Sequence, residues 1–237
     1  GQRWRLVEEF IELWHPTPLT RESGVSQAEI ENTELRLNTK LPHALREWYA
    51  LAGAHTWPSY HATRIQLDDI VFDSTFDALI VFENIDECYG LPDDCDKDDP
   101  MLLEFGANPW SDHHLKVQRR LGRHVLPVSK FVVATLLIDK INPYHTPTGQ
   151  VRVHSGQFQV QAKTATDVRA ALSQCAVSMS WAKPIWRGAW AVTIYEGDDL
   201  LFLEGESEET VFFRLAARSM EAYDSVPLFV REALLGN

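Results

Sequence analysis

The chain has 237 residues, of which 45% are hydrophobic, 24% charged and 11% aromatic, a composition typical of a globular protein. Its 22 lysines and arginines stand against 34 aspartates and glutamates, so the formal net charge is -12. This balance argues against a general nucleic-acid binder, which would carry a basic face, and favours basic protein partners through long-range attraction.

The cysteines and the hydropathy indicate a reducing compartment and no membrane segment. Three cysteines, an odd number, are too few for a disulfide framework in a chain of this size. No run approaches the ~18 apolar residues that a membrane span needs. Residues 1–10 have neither the apolar core nor the cleavage site of a signal peptide. We therefore expect a cytoplasmic location and no membrane association.

Three helices are predicted near the start of the chain. Residues 4–14 place apolar side chains at helical spacing. Ser26 is predicted to cap the second helix, with Glu29 completing a capping box. A third helix is predicted to begin at Pro42, a favoured first position, and to stop at Gly53, a favoured residue just past a helix end.

Strand patterns follow in the middle of the chain. A short strand is predicted at residues 64–67, and buried strands are predicted at 78–83 and 101–105. An acidic loop is predicted between the last two strands, over residues 86–99. A helix is then predicted over residues 129–141, where a proline follows.

Two hairpins and further helices are predicted in the C-terminal part. In chain order the elements are a strand at 151–154, a turn at Ser155-Gly156, a strand at 157–161, a helix at 166–177, a strand at 189–195, a turn at 196–199 and a strand at 200–204. Residues 208–220 fit either a helix or a strand. The strand is favoured because a hairpin precedes it, and a helix is then predicted from Ser219.

One segment resembles a known family. Residues 26–53 read SQAEIENTELRLNTKLPHALREWYALAG, which is similar to the signature of the SUKH superfamily. A strand ending in Glu83-Asn84, an aromatic-glycine step at Tyr89-Gly90 and an Asp98-Asp99-Pro100 entry to the next strand follow in the family's order. The signature positions are filled by Ile30, Glu34, Leu41, Pro42, Leu45, Arg46, Glu47, Trp48, Tyr49, Gly53, Glu83 and Asn84.

The resemblance covers residues 26–141. Together with the predicted elements it implies an α+β fold, with a mainly antiparallel sheet and helices packed against it. We expect one domain over residues 1–237, in which 26–141 form the family-like core and 150–237 a C-terminal elaboration of hairpins and helices. Trp48 and Tyr49 are expected in the core.

The resemblance also implies a binding function. Many bacterial members resemble immunity proteins that neutralise polymorphic toxins, often nucleases. Other members resemble signalling or scaffold proteins, including fungal cell-wall regulators. Because the family shares no catalytic residues, no enzymatic activity and no cofactor are expected. The alternative to an immunity protein is a regulatory scaffold of the same fold with an endogenous protein partner.

Residues 86–99 allow three interpretations. They form a solvated acidic loop, a contact surface for the basic face of a nuclease, or a loose cation site. An EF-hand loop starting at Asp94 is excluded, because Asp99 stands where glycine is needed and Phe105 where glutamate is needed. No zinc-ligand spacing, nucleophile elbow or phosphate-binding loop occurs in the sequence, so no metal and no catalytic residue is predicted.

The aromatic residues supply candidate anchors for a partner. Trp57 and Trp110 flank turn-forming prolines, and both core packing and an exposed interface role fit them. Glu83, on an apolar strand, is expected to have a structural role. The predicted toxin-binding residues are Trp57, Asp86, Glu87, Asp93, Asp94, Asp96, Asp98, Asp99 and Trp110.

Overall fold

The structure is a computed structural model that describes residues 2–15, 17–55, 63–74, 76–83, 88–92, 98–105, 123–141, 154–175, 177–180, 191–196, 199–206 and 210–235. The chain divides into two compact units, Gly1–Leu136 (unit 1) and Leu137–Asn237 (unit 2). The division falls close to residue 141, where the family-like core is predicted to end. The prediction of a single domain stays a prediction.

Unit 1 combines helices with a six-stranded sheet. Its helices are α1 Arg5–Trp14, α2 Gln27–Leu37, α3 His43–Ala52 and the first part of α4 Val128–Ile141. Its strands are β1 Thr63–Arg64, β2 Val71–Asp73, β3 Ala78–Glu83, β4 Cys88–Pro92, β5 Met101–Phe105 and β6 Arg123–Pro127. All pairings are antiparallel, and the strand order is β1-β3-β4-β5-β6, with β2 also pairing with β3. The predicted α+β class is confirmed.

The three predicted N-terminal helices are present, and local signals explain the ends of α2. Ser26 accepts a hydrogen bond from the Glu29 amide, and the Glu29 carboxylate accepts one from the Ser26 amide at 2.8 Å, so the capping box is complete. Asn38 ends α2 in the left-handed region, at φ 52°, which asparagine tolerates better than most residues. Pro42 is the residue before α3 rather than its first residue.

Two strand predictions in unit 1 need correction. The strand predicted at 64–67 covers only Thr63–Arg64, because a 3-10 turn at Leu67–Asp69 follows. The region 86–99 is not one loop, since Cys88–Pro92 forms β4, in which Cys88, Tyr89, Gly90 and Leu91 are buried. The aspartates on either side concealed this short apolar run.

Gly90 lets β4 pair closely with β3. The register shifts between Ile80 and Phe82 of β3, which marks a bulge. A Cβ at Gly90 would lie 3.1 Å from the Ala78 side chain, 3.1 Å from Ile80 and 3.1 Å from the Leu79 carbonyl. A larger residue would therefore require these neighbours to shift by a few tenths of an ångström.

An aromatic cluster packs α4 onto the sheet. Phe82 of β3 and Tyr89 of β4 are register partners, so their side chains lie on one face. The Phe131 ring of α4 lies 5.1 Å from the Phe82 ring and 4.6 Å from the Tyr89 ring, between centroids. These tilted contacts bury all three rings and fix the helix over the two central strands.

The described part of unit 2 contains the end of α4, a five-stranded antiparallel sheet and three further helices. Its strands are β7 His154–Gln161, β8 Val177–Ser180, β9 Ala191–Glu196, β10 Leu200–Glu206 and β11 Thr210–Ala217, in the order β7-β11-β10-β9-β8. Its helices are α5 Ala162–Cys175, α6 Met220–Ser225 and α7 Leu228–Leu235. The core is built from side chains of α5, β10, β11, the residue after α6 and α7, namely Ala165, Val168, Ala171, Leu200, Val211, Phe213, Leu215, Ala217, Val226 and Val230.

The sequence predicted one C-terminal hairpin correctly and one wrongly. β9 and β10 pair on either side of residues 196–199, as predicted. Ser155-Gly156 is not a turn, because both residues lie within β7 and pair with Ala216 and Leu215 of β11. The favoured strand at 208–220 is confirmed as β11, and Ser219 caps α6.

Candidate functional site

The signature helices are held together by a buried carboxylate. Glu34 of α2 has only 1% of its side chain exposed. Its Oε1 accepts hydrogen bonds from the Leu41 amide at 3.1 Å and from Arg46 Nη1 at 2.5 Å. Its Oε2 accepts one from Lys40 Nζ at 2.7 Å. One side chain thus binds the loop after α2, the residue before Pro42 and the outer face of α3.

The same contacts set the ionisation of Glu34. Burial by itself raises the pKa of this carboxyl, but the hydrogen bonds from Lys40, Leu41 and Arg46 outweigh burial and hold the pKa below its usual range. The carboxylate is therefore charged at neutral pH and acts as a structural link rather than as a proton donor.

Glu47 anchors the N-terminal turn to α3. Its Oε2 accepts a hydrogen bond from Arg3 Nη1 at 2.9 Å and one from the Trp4 indole Nε1 at 3.1 Å. The Trp4 ring lies 5.2 Å from the Trp48 ring, between centroids. Arg46 and Glu47, on the face of α3 opposite the core stripe, therefore both serve packing between elements.

The apolar signature residues lie in the core, as predicted for Trp48 and Tyr49, which are 3% and 0% exposed. The Tyr49 hydroxyl donates to the Ile65 carbonyl at 2.5 Å. Gly53 is needed for packing, because a Cβ there would lie 2.3 Å from the Tyr49 carbonyl. Also buried are Ile30, Leu41, Pro42 and Leu45.

Glu83 stands at the point where β3 leaves the core. The five residues before it are buried, and Glu83 is half-buried opposite Thr63 and Cys88. Asn84 lies outside the part of the chain that the structure describes. The signature residues that can be placed are thus engaged in holding the fold together.

Residues 98–100 close the N-terminal ends of two helices. The Asp98 carbonyl accepts from the Ala44 amide of α3 at 2.9 Å, and the Pro100 carbonyl accepts from the Val128 amide of α4 at 3.0 Å. The Asp99 carboxylate accepts from the Ser129 amide at 3.0 Å and from the Ser129 hydroxyl. These bonds satisfy amides that a helix leaves unpaired in its first turn.

Asp98 is the more accessible of the two aspartates. Its side chain is 64% exposed, it forms an ion pair with Arg3, and its Oδ1 lies 3.1 Å from His43 Nδ1. Both aspartates are predicted toxin-binding residues. In the structure both residues make contacts within the fold. A contact of either residue with a toxin stays a prediction.

Replacing Asp99 by alanine is expected to destabilise unit 1 by about 1 kcal/mol, the usual cost of losing a helix cap. Urea denaturation followed by circular dichroism would measure this loss as a lower midpoint at unchanged slope. Asp68→Ala, at an exposed site that caps no helix, is the control and should change stability by less than about 0.5 kcal/mol. Equal midpoints for the two variants would contradict the capping role.

The other predicted toxin-binding residues cannot be placed. Those that fall outside the described ranges are Trp57, Asp86, Glu87, Asp93, Asp94, Asp96 and Trp110. Their roles stay predictions. The candidate surface must therefore be sought among the exposed side chains of the described ranges.

An acidic edge with exposed apolar side chains lies at one side of the unit 1 sheet. We define it as Asp68, Asp69, Val71, Phe72 and Asp73. Val71 and Phe72 of β2 are 38% and 43% exposed, although they sit beside a fully buried part of β3. Asp68 and Asp69 are exposed, and Asp73 is half-buried. We take this edge as the candidate surface because a strand at the edge of a sheet offers a partner unpaired backbone groups beside these side chains.

Two buried anchors and one arginine hold the acidic edge in place. Leu67 and Ile70 are buried, so the intervening Asp68 and Asp69 point outward from the 3-10 turn. Arg36 of α2 donates from Nη1 to the Ile70 carbonyl at 2.9 Å and from Nη2 to the Leu67 carbonyl at 2.7 Å. The edge is thus preorganised, which lowers the entropic cost of binding.

The charges of Asp68 and Asp69 are open to a partner. Within the described part of the chain, no ion pair joins Asp68 or Asp69 to a lysine or arginine. These carboxylates can therefore attract cations from solution and speed the encounter with a basic protein, an effect that salt screens.

The acidic edge was not predicted from the sequence. The longer acidic run at 86–99 dominated the charge pattern, while β2 is only three residues long. The available signal was the short apolar run in residues 67–73, LDDIVFD, which has aspartates on both sides. Its exposure depends on pairing with β3, which a local pattern does not reveal.

No protein-family model, curated protein or solved structure matches the chain. The SUKH resemblance therefore rests on the residues quoted above. None of the described helices has the length and apolarity to cross a bilayer. The described side chains include no group of three or more His, Cys, Asp or Glu residues placed to hold a metal ion.

Proposed function

We propose that this protein is an immunity protein that acts in the cytoplasm and neutralises a cognate, basic toxin, most simply a nuclease, by binding it. The observation that carries the proposal is the acidic edge, where exposed Val71 and Phe72 lie beside Asp68 and Asp69, which form no ion pair with a described lysine or arginine. The net charge of -12 and the SUKH-like residues support it. A nuclease is basic where it grips phosphates, so an acidic inhibitor can cover that site.

The exposed apolar and acidic residues would contribute to binding in different ways. The apolar side chains would be desolvated at the centre of the contact and slow dissociation. The carboxylates would raise the association rate and select basic partners over acidic ones. The alternative, a regulatory scaffold with an endogenous partner, uses the same surface and differs in the identity of the partner.

A growth-rescue experiment tests the proposal. The gene next to the one encoding this chain would be expressed from an inducible promoter in a bacterial host, with and without this chain. The expected result is growth arrest by the neighbouring product alone and restored growth on co-expression. Purified proteins should form a complex whose association rate falls as salt is raised.

The outcome separates the two functions. A neighbouring product that is harmless, or whose toxicity is unchanged by this chain, would overturn the immunity function. A harmless neighbour together with a stable host-protein partner would support the scaffold alternative. The control chain carries Glu8→Lys and Glu12→Lys on the exposed face of α1, and it should rescue growth like the natural chain.

A further inference from the structure

We infer that the partner binds the acidic edge by adding an extended, lysine- or arginine-bearing strand to the open side of β2. This inference deepens the proposed function and rests on it for the biological identity of the partner. The strand-addition mode itself stands on the pairing, exposure and charge of β2.

The backbone of β2 offers an open side. Among the described strands, β2 pairs with β3 alone, through Val71 with Ile80, Phe72 with Leu79 and Asp73 with Ala78. Successive backbone groups of a strand point alternately to its two sides. At least one residue of β2 therefore directs its N–H and C=O away from β3, where an added strand can pair with them.

The side chains of β2 suit an added strand. Val71 and Phe72 are consecutive, so they project from opposite faces of the sheet, and both are more than one-third exposed. A strand laid along β2 would bring its own apolar side chains against each of them on both faces. A partner that covered only one face would leave the other side chain in water.

The aspartates beside β2 favour an added strand that carries positive charges. Asp68 and Asp69, which form no ion pair with a described lysine or arginine, precede the open strand, and Asp73 is its last residue. An incoming strand with lysine or arginine near its ends would place its cations beside them. A second copy of this chain would instead bring aspartates against aspartates, which opposes self-pairing.

Proline substitution tests the mode directly. Val71→Pro and Phe72→Pro each remove one amide, and one of the two amides faces away from β3. Proline is tolerated on an edge strand where the amide faces solvent, so that variant should keep the melting temperature, whereas the other should lower it. The variant that keeps its melting temperature is expected to bind the partner at least about tenfold more weakly. Unchanged affinity in that variant would overturn the inference.

Charge reversal supplies a second measurement. Asp68→Lys with Asp69→Lys should slow association with the neighbouring gene's product by about tenfold at low salt, because the attraction becomes repulsion. Glu8→Lys with Glu12→Lys changes the net charge equally on α1 and should alter the rate by less than about twofold. Equal slowing of association by both variants would show that the effect comes from net charge and that the acidic edge is not the binding surface.

A synthetic peptide separates failure of this mode from failure of the proposed function. The probe is a short peptide of alternating valine and lysine, and its control alternates valine and glutamate. Bound to the full chain, the lysine peptide should slow hydrogen exchange of a Val71, Phe72 or Asp73 amide by about tenfold or more, and the control should not. Such protection without growth rescue would retain the strand-addition mode and reject the immunity function. Growth rescue with unchanged hydrogen exchange and a fully active proline variant would retain the immunity function and reject the strand-addition mode. Dimerisation of this chain in the absence of peptide would also overturn the strand-addition mode.

Discussion

Glu34→Ala is expected to destabilise unit 1 by about 3 kcal/mol, at the upper end for loss of hydrogen bonds to a buried charge. The substitution leaves the Leu41 amide without its acceptor and removes the counter-charge of Arg46. Chemical denaturation followed by circular dichroism would measure the loss. Glu31→Ala, on the exposed face of the same helix, is the matched control, with a change of less than about 0.5 kcal/mol. A loss below about 1 kcal/mol for Glu34→Ala would show that the surrounding helices pack without this link.

Acid should remove the contribution of Glu34. Its pKa in the folded chain lies below the usual value of ~4.3, so the carboxylate stabilises the fold above that value, and the stabilisation is lost as pH falls through the folded pKa. The stability difference between the natural chain and Glu34→Gln should therefore be full at neutral pH and shrink below about pH 4. A difference independent of pH would assign the effect to shape rather than charge.

Gly24→Ala is expected to destabilise unit 1 by about 3 kcal/mol, as severe overpacking does. A Cβ at Gly24 would lie 1.7 Å from the Ala50 carbonyl oxygen and 2.6 Å from its carbon. The backbone cannot easily retreat, because the Val25 amide donates to Tyr49 at 3.0 Å and the Ala54 amide donates to Ser23 at 2.8 Å. The glycine is required for close approach to α3, since its φ of −95° is open to any residue.

Thermal unfolding of Gly24→Ala and of a control variant would check the expected loss of stability. Thr17→Ala changes an exposed residue of the same N-terminal region and should leave the melting temperature nearly unchanged. Gly24→Ala should lower it by more than about 8 °C, given the size of unit 1. If the two variants melted together, the segment before α2 would have to be displaceable from α3.

Local signals made much of unit 1 predictable from the sequence. The capping box at Ser26 and Glu29 marks the start of α2, and the apolar run at β3 needs no distant partner to be recognised. The error at Ser155-Gly156 has the opposite cause. These residues favour a turn locally, but pairing with β11, more than fifty positions later in the chain, keeps β7 extended.

The candidate site was less predictable than the fold. Its apolar residues are exposed because β2 pairs on one side, and its aspartates point outward because Leu67 and Ile70 are buried. Both facts arise from contacts with β3 and α2, which no local pattern encodes. Conversely, Asp99 belongs to a conspicuous acidic run, yet its carboxylate binds the start of α4.

The contacts of residues 98–100 tie the synthesis of the chain to its folding. α3 is ten residues long, and an isolated helix of that length is marginal in water. The acceptor for its Ala44 amide is the Asp98 carbonyl, so a ribosome must add more than fifty further residues before that contact can form. The signature segment thus emerges well before the residue that completes the first turn of α3, and this long-range contact can form only after that residue has been added.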